Sequence, residues 1–267
     1  MASISKFLLY ESSVQDPKWH VEYLPRFHRT LVGKNPLSMR EDFCGSGRIS
    51  CEWVKLSRKN KAVGIDIDPR PLRYANKINK GTLTKDECSR LKFINQNVLK
   101  STQEKFDLVG SYNFSFFALH EREEMLQYAK AVYRSLKLPG TFFLDIAGGP
   151  GFLKTRQNNQ KITIPGHGTF RQIWEQSDYN PITSINQYSI HFMLLNGKCL
   201  NDAFVYRWRI WQIRELREIL AEAGFKKSLV LWEKNKKTNE GSGEFYPTEN
   251  AENAYTWVAY VIGVKKA

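Results

Sequence analysis

Short apolar runs alternate with amphipathic segments of helical length from residue 19 to residue 151. Apolar, β-branched runs predict strands near 37–40 and in KAVGIDID, LKFINQNV, KFDLVGSY and GTFFLDIAG. Apolar residues at helical spacing predict helices over 19–31, over 48–57, from Asp68 onward and over 121–138. Strands that alternate with helices of this length predict βαβ units, and therefore an α/β fold with a doubly wound, mostly parallel sheet.

The pattern changes after Gly151, where strand-like segments follow one another without helices between them. TFRQIWEQSD, TSINQYSIHFML and CLNDAFVYRWRIW predict three antiparallel strands inserted as a cap. The segment 212–225 predicts a helix that ends at Gly224, and SLVLWE and YTWVAYVIGV predict two final strands separated by a polar loop, NEGSGEFYPTEN. We therefore predict an N-terminal helical segment or lid over 1–36, a core over 37–154 and 212–267, and a β cap over 155–211.

Composition narrows the class of protein. With 267 residues, of which 42% are hydrophobic, the chain can bury the core of a globular domain. Its four cysteines are scattered without a C-x-x-C pair, which argues against a zinc cluster or a disulfide framework and suits a reducing compartment. The apolar run of four residues near the N-terminus is too short for a signal-peptide core or a membrane span. We therefore expect a cytoplasmic protein that binds neither a metal nor a membrane.

The net charge of +13 raises the question of a nucleic-acid partner, because basic surfaces attract polyanions. Residues 51–100 carry twelve Lys or Arg against five Asp or Glu, so much of the excess lies in one part of the chain. Cations are favourable at helix C-termini, and these segments coincide with predicted helix ends. We therefore expect a solvated basic face, which leaves nucleic acid as an open but disfavoured partner.

The stretch MREDFCGSGRISCEWV places two glycines, Gly45 and Gly47, between a predicted strand and a predicted helix. Such a turn lets the backbone come close to a ligand. A dinucleotide motif would need a third glycine where Ser50 stands, and the preceding Glu41 and Asp42 would repel a pyrophosphate. Carboxylates suit a cationic ligand instead, such as S-adenosylmethionine (SAM), which carries a sulfonium and an ammonium group.

A second acidic position follows at the end of the next predicted strand. Asp66 lies 21 residues after Gly45, and an acidic residue about 20 positions beyond a glycine turn commonly binds ribose hydroxyls. Asp68 competes for that role, but Pro69 follows it, so Asp68 is explained as the N-cap of the next helix.

These residues resemble the first motif of class I SAM-dependent methyltransferases. EDFCGSG matches acidic-x-Gly-x-Gly-x-Gly with Phe43 in place of the first glycine, and YESSVQDP, VGIDIDP, NFSFF and RWRIWQIRELREILAEAGF extend the similarity to a bacterial branch of these enzymes. The resemblance implies SAM as cofactor and a seven-stranded sheet with one antiparallel strand near its end. Together with the strand ends, it assigns cofactor binding to Glu41, Cys44, Gly45, Gly47, Asp66, Ile67, Asn97, Val98, Asn113 and Phe114.

Ligands of parallel sheets lie beyond the carboxyl ends of the strands, so the segment after the fourth strand, NFSFFALHE, is a candidate acceptor site. Phe116 and Phe117 are predicted to contact the acceptor there, and Trp174 and Trp208 of the cap could add an aromatic cavity. At the N-terminus, Tyr10, Gln15 and Trp19 could close over the cofactor.

Methyl transfer requires close positioning in a water-poor pocket more than dedicated catalytic groups. If a base is used, the candidates are His191, Asp145 and His120, with Glu175 as a further choice. A cap of this size favours a small-molecule acceptor. RNA or protein methylation, a non-catalytic binding protein and a nicotinamide dehydrogenase remain alternatives, the last weakened by the missing third glycine.

Overall fold

The computed structural model describes residues 4–14, 16–195, 197–235 and 241–266. The helices are α1 (Lys6–Val14), α2 (Pro17–Val32), α3 (Arg48–Lys55), α4 (Pro69–Tyr74), α5 (Lys85–Ser89), α6 (Arg122–Ser135) and α7 (Ile213–Glu222). The strands are β1 (Ser38–Asp42), β2 (Lys61–Asp66), β3 (Leu91–Asn95), β4 (Phe106–Ser111), β5 (Leu136–Gly148), β6 (Arg156–Ile164), β7 (Gly168–Gln176), β8 (Ile185–Leu194), β9 (Cys199–Arg209), β10 (Lys227–Asn235), β11 (Gly241–Pro247) and β12 (Trp257–Lys265). A π-helical turn, Ala75–Asn79, continues α4.

The larger sheet has the strand order β11-β10-β12-β5-β4-β1-β2-β3. Strands β1 to β5 are parallel to their neighbours among themselves, and β12 runs antiparallel to both β5 and β10. The buried, β-branched runs read from the sequence form its central strands. The doubly wound α/β fold predicted from the alternation of strands and helices is thereby confirmed.

The sheet has one strand more than the seven that we expected, because β11 forms inside the segment predicted to be a polar loop. The sequence of β11 is polar and does not by itself indicate a strand. Contacts with residues distant in the chain explain why the strand forms. The Phe245 ring packs on Trp19 at 5.2 Å and on Tyr260 at 5.1 Å, and these contacts hold the segment against the edge of β10.

The second sheet has the order β6-β7-β8-β9, is antiparallel throughout and falls within residues 155–211. The sequence indicated three of these strands and not β6. That strand is rich in Gln and Asn, mostly exposed and at the edge of the sheet, so it carries little hydrophobic pattern. Backbone pairing with β7 along its whole length defines it.

Two helices form the N-terminal segment. Helix α2, which was predicted, begins where the Asp16 side chain accepts a hydrogen bond from Trp19 N at 3.1 Å and ends at Gly33, whose φ is 81°. Helix α1 was not predicted; its Leu9 is fully buried with Ile190 and Phe192 of the second sheet. Gln15 lies outside the described residues. Helix α6 ends three residues before the predicted end, because β5 already begins at Leu136.

The excess of Lys and Arg in residues 51–100 is partly explained by helix capping. The Arg90 guanidinium donates to the carbonyls of Val54, Ser57 and Asn60 at 2.8, 3.0 and 2.6 Å, so it satisfies the C-terminal end of α3. The exposed Lys59 lies nearby, before the amino end of β2. None of the helices in the described part of the chain combines the length and the apolar character needed to cross a bilayer.

Candidate active site

A cavity of about 460 Å³ opens at the carboxyl ends of β1, β2 and β4. The turn after β1, residues 43–46, forms its floor together with Asp66 at the end of β2. Helix α1 and strand β9 form another part of its wall. Because parallel strands end at one edge of the sheet, residues from three separate motifs meet here.

The turn after β1 is built from left-handed backbone conformations. Phe43, Gly45 and Gly47 have φ values of 54°, 54° and 69°. Phe43 thus adopts the conformation that glycine usually provides, at a cost of about 1–2 kcal/mol, and its ring packs edge-on against Tyr128 at 5.6 Å. A Cβ on Gly47 would lie 2.1 Å from the Phe93 ring, whereas a Cβ on Gly45 would meet no atom within 4 Å. Gly45 therefore leaves free space where it lines the cavity.

Asp66 connects this turn to the end of β2. One carboxylate oxygen accepts a hydrogen bond from Gly45 N and the other from Asp68 N, both at 2.8 Å. Burial raises the pKa of Asp66, and these backbone donors offset part of the rise. Asp68 caps α4 by accepting from Arg70 N at 2.8 Å, as its position before Pro69 predicted.

Glu41 and Asp42 are adjacent but point to opposite faces of β1. Asp42 forms a fully buried ion pair with Arg40 at 2.6 Å and accepts from the Tyr128 hydroxyl at 2.9 Å. Glu41 has no cationic partner among the residues that the structure describes; one of its oxygens accepts from Ser50 N at 2.8 Å and from Ser50 Oγ at 2.5 Å. Burial raises the pKa of Glu41 to about 7. Glu41 is therefore the carboxylate of this pair that is poised to meet a cation.

Asp145 holds the segment that follows β4. Its carboxylate accepts from Asn113 N at 2.5 Å and from Phe114 N at 2.9 Å, and both of these residues have a φ of 57°. Burial raises the pKa of Asp145 to about 7. Asn113 lines the cavity, whereas Asp145 and Phe114 do not. The structure thus places Asp145 behind the site, where it fixes the backbone of the segment.

The wall formed by α1 and β9 is aromatic. Phe7 and Tyr10 of α1 and Phe204, Tyr206 and Trp208 of β9 line it. The Tyr10 and Phe204 rings lie 4.8 Å apart, as do the stacked rings of Tyr206 and Trp208. Burial raises the pKa of Tyr10 to about 12, and the neighbouring Tyr206 hydroxyl offsets part of that rise. We call these five residues the aromatic wall.

Neither candidate histidine lines the cavity. The His191 Nδ1 accepts a hydrogen bond from Asp202 N at 2.9 Å, so this ring stabilises the bend where β9 carries Asp202 with a φ of 48°. The His120 Nε2 lies 2.7 Å from the carbonyl oxygen of Arg207. Both histidines therefore contact the backbone of the cap strand that forms the wall.

The phenylalanines proposed for the acceptor lie in the core. Phe116 and Phe117 are fully buried, and their rings pack edge-on at 5.0 Å. Trp174 packs on Trp208 at 6.0 Å and on Tyr188 at 5.3 Å, behind the wall. Of the four aromatic residues predicted to bind the acceptor, Trp208 lines the cavity.

Besides Phe114 and Gly47, three residues proposed for the cofactor do not line the cavity. The Ile67 side chain is 66% exposed. Asn97 accepts a hydrogen bond from Leu99 N at 2.9 Å and so closes a turn after β3. Val98 is buried, and its carbonyl oxygen accepts from Arg40 at 3.4 Å. The predicted cofactor residues that do line the cavity include Glu41, Cys44, Gly45 and Asp66. Gly47 instead packs closely against the Phe93 ring.

Sequence reasoning did not find several cavity residues: Lys6, Phe7, Ser46, Arg70, Pro71, Tyr112, Ser115, Ala118, Asp202, Ala203, Phe204 and Val205. For Phe204 a signal existed, because Phe204, Tyr206 and Trp208 alternate along one face of a strand. Phe7 carries no such signal, since its place in the site depends on how α1 packs.

Comparisons with known proteins agree with this geometry. A family model described as "Methyltransferase domain" matches residues 41–224. The chain is similar in structure to the sugar N-methyltransferase KedS8 from Streptoalloteichus sp ATCC 53650, with 15% identity, coverage of 100% of this chain and 95% of the other, and a TM-score of 0.68. It is also similar to the SAM-bound amino pentose methyltransferase CalS10 from Micromonospora echinaspora, with 13% identity, 100% and 99% coverage, and a TM-score of 0.67.

A third similar structure is a SAM-dependent methyltransferase from Clostridium acetobutylicum ATCC 824, with 16% identity, 96% coverage of each chain and a TM-score of 0.66. At these identities the likeness shows the fold. No curated protein sequence matches the chain. The family match spans the glycine turn, Asp66, the segment after β4 and the aromatic strand β9, which are the parts that meet at the cavity. The chain belongs to the methyltransferase domain family and is a methyltransferase enzyme.

Proposed function

We propose that this enzyme transfers the methyl group of SAM to the amino group of a small molecule. The observation that carries the proposal is the cavity itself, in which a turn flanked by carboxylates faces an aromatic wall. A cavity of 460 Å³ lies within the range of about 300–1,000 Å³ that is usual for small-molecule sites. We further propose a cytoplasmic location, which suits the scattered cysteines.

The residues at the turn fit SAM. Gly45 leaves the space of a missing side chain open on the cavity side. Asp66, placed beside Gly45 N, would hold the ribose hydroxyls, and Glu41 would meet the ammonium or the sulfonium. When bound, SAM supplies a methyl group on a positively charged sulfur. The chain's own residues bind and orient both partners and exclude water from the cavity.

The wall favours an amine acceptor. An amine nitrogen attacks with the lone pair of its neutral form, and the product carries a positive charge that the faces of Tyr206 and Trp208 can stabilise by cation–π contact. A hydroxyl acceptor would need a base in contact with it. Among the described residues no histidine lines the cavity, and Tyr10, with a pKa of about 12, keeps its proton at neutral pH. The carboxylates at the turn are assigned to the cofactor, which leaves Asp202 of β9 as the candidate base for a hydroxyl. Two of the similar structures are those of a sugar N-methyltransferase and an amino pentose methyltransferase.

An RNA or protein acceptor is less favoured by the distribution of charge. Lys55, Arg58 and Lys59 are exposed at the end of α3 and before β2. This is the amino-end side of the sheet, whereas the cavity lies at the carboxyl ends of the strands. A polyanion bound to these three residues would therefore lie on the side of the sheet opposite the cavity, although Arg70 of the same basic stretch lines the cavity.

Two measurements test the proposal. Calorimetric titration with SAM should give saturable binding; absence of binding would remove the enzyme from the SAM-dependent class. Transfer of a labelled methyl group should then be assayed on amino sugars and on matched sugars that carry hydroxyl groups instead. Labelling of amino sugars alone supports the amine. Labelling of the hydroxyl sugars or of RNA in its place would overturn it, and binding without any labelling would favour a non-catalytic binding protein.

A further inference from the structure

The buried side chain of Asn79 joins helix α1 to the glycine turn. Its Nδ2 donates one hydrogen bond to Glu11 Oε1 of α1 at 2.5 Å and one to the Ser46 carbonyl oxygen at 2.9 Å. Asn79 is only 2% exposed and lies at the end of the π-helical turn that continues α4. Both hydrogens of its amide are therefore used, one toward α1 and one toward the glycine turn.

The two groups that Asn79 connects belong to different halves of the site. Ser46 lies between Gly45 and Gly47 and lines the cavity. Helix α1 carries Phe7 and Tyr10, the part of the aromatic wall that does not come from β9. The other anchors of α1 lie mainly in the cap, where Lys6 Nζ donates to the Ala203 carbonyl at 2.7 Å and Leu9 is fully buried.

The Glu11 carboxylate has two polar neighbours. Burial raises the pKa of Glu11, and the side chains of Ser46 and Asn79 offset part of the rise. An aspartate at position 79 could not replace the asparagine, because it would lack the two N–H donors and would face an acidic side chain and a carbonyl oxygen. The arrangement thus needs an amide at that position and an acceptor on α1.

We propose that Asn79 and Glu11 are positioning residues that couple the glycine turn to helix α1. A cofactor bound at the turn restricts the position of the Ser46 carbonyl. The hydrogen bonds of Asn79 then restrict the position of Glu11. Helix α1 is thereby held in the position that completes the aromatic wall. The acceptor half of the site is therefore completed only after the cofactor is in place. This inference rests on the proposed function, since it takes the turn to be the cofactor site.

The test uses the full chain and S-adenosylhomocysteine as probe. Its affinity is measured by calorimetry, and the exposure of α1 is measured by amide hydrogen exchange of a peptide containing residues 6–14. In the unsubstituted protein the probe should slow exchange in this peptide. Asn79→Ala should abolish that protection and weaken the affinity about tenfold, the loss expected for a hydrogen bond of ordinary strength.

Substitutions of Glu11 distinguish the effect on helix α1 from the effect on affinity for the probe. Glu11→Ala should abolish protection of α1 while the affinity stays within about threefold, because the bond from Asn79 to Ser46 remains. Glu11→Gln retains the Oε1 acceptor and should restore protection. Asn76→Ala is the matched control, since Asn76 is exposed and donates only to the Leu72 carbonyl at 3.0 Å. It should behave like the unsubstituted protein.

Three outcomes would overturn the coupling: binding of the probe without slower exchange in α1, retained protection in Glu11→Ala, or loss of protection in Asn76→Ala. If Asn79→Ala fails to fold, the Glu11 pair decides alone. Failure of the unsubstituted protein to bind the probe at all would instead count against the proposed function.

Discussion

The two sides of the cavity are built in different ways. On the cofactor side, Asp66 and Glu41 accept hydrogen bonds from the backbone N–H groups of Gly45 and Ser50. These bonds join residues at most 21 positions apart within one βαβ unit. On the acceptor side, the aromatic wall combines α1 with β9, and its rings contact one another across almost 200 residues of sequence, as Tyr10 and Phe204 do.

This difference decides how each side responds to substitution. Carboxylates and left-handed turn residues have few allowed replacements, so changes on the cofactor side should alter affinity or stability by whole kcal/mol. Rings in a wall make many weak contacts, so changes there should affect turnover more than cofactor binding. Five predictions test this contrast, beginning with the largest effect.

Replacement of Arg40 by Met should lower the free energy of unfolding by about 3–5 kcal/mol, because Asp42 would be left as a buried charge without its partner. Urea denaturation measures this. Arg48→Met is the control: Arg48 pairs with Glu52 at 3.5 Å on the surface of α3, and its loss should cost less than about 1 kcal/mol. Equal losses of unfolding free energy in the two variants would mean that the buried ion pair stabilises the fold no more than the surface pair does.

Asp66→Ala should weaken SAM binding by about 1.5–3 kcal/mol, as for hydrogen bonds to a charged group, and leave the fold intact. Calorimetry gives the affinity, and circular dichroism checks the fold. Asp68→Ala should change the affinity by less than about threefold, since the Asp68 carboxylate is occupied by Arg70. Similar losses in both variants would contradict the assignment of the ribose to Asp66.

The two glycines of the turn should separate affinity from stability. Gly45→Ala adds a methyl group on the open cavity side and should reduce SAM affinity, with a stability loss of about 1–2 kcal/mol from its φ of 54°. Gly47→Ala carries the same kind of strain and also places a Cβ 2.1 Å from the Phe93 ring, so it should destabilise the fold more. Unchanged SAM affinity in Gly45→Ala would mean that the cofactor does not lie beside Gly45, and the reverse order of stability in thermal denaturation would contradict the close approach of Gly47 to Phe93.

SAM affinity should depend on pH through Glu41. Burial raises the pKa of Glu41 to about 7, and a cationic ligand prefers the ionised carboxylate. Binding therefore lowers this pKa, and the affinity should increase about tenfold between about pH 5.5 and about pH 7.5. Glu41→Gln should flatten the profile. An unchanged slope in that variant would assign the titration to another group, such as Asp145.

Phe204→Ala should give the smallest change in cofactor affinity, within about twofold, because Phe204 lies on the aromatic wall and not at the turn. It should lower kcat/KM for any accepted amine, since the wall loses a ring that packs on Tyr10 and Phe7. A loss of SAM affinity as large as the loss of kcat/KM would show that Phe204 contributes to cofactor binding and not mainly to the acceptor side.

Local patterns predicted much of the fold, and their failures have a common cause. Strands β1 to β5 follow from buried apolar runs, and the glycine turn follows from spacing. Strands β6 and β11 were missed because polar edge strands are defined by backbone pairing with neighbours that the local pattern does not show. The number of strands at the edges of a sheet is therefore poorly encoded in hydrophobic pattern.

The same limit applies to the candidate site. The acidic turn and Asp66 could be identified because a strand, a turn and a helix N-terminus impose a short, regular spacing between them. Arg40 forms an ion pair with Asp42 and not with the adjacent Glu41. Glu41 is therefore the carboxylate that stays available for a cationic ligand. The sequence contains all three residues but does not show which way they face.

The sequence by itself determined the parallel α/β core, the glycine turn and the carboxylate at the end of β2, because these depend on contacts between residues close in the chain. Only the tertiary structure decided that Phe116 and Phe117 are core, that the histidines contact the cap backbone, and that α1 completes the wall. Most of these outcomes depend on packing between residues distant in the chain, such as Phe117 and Trp208, and the His191 contact depends on the pairing of two neighbouring cap strands.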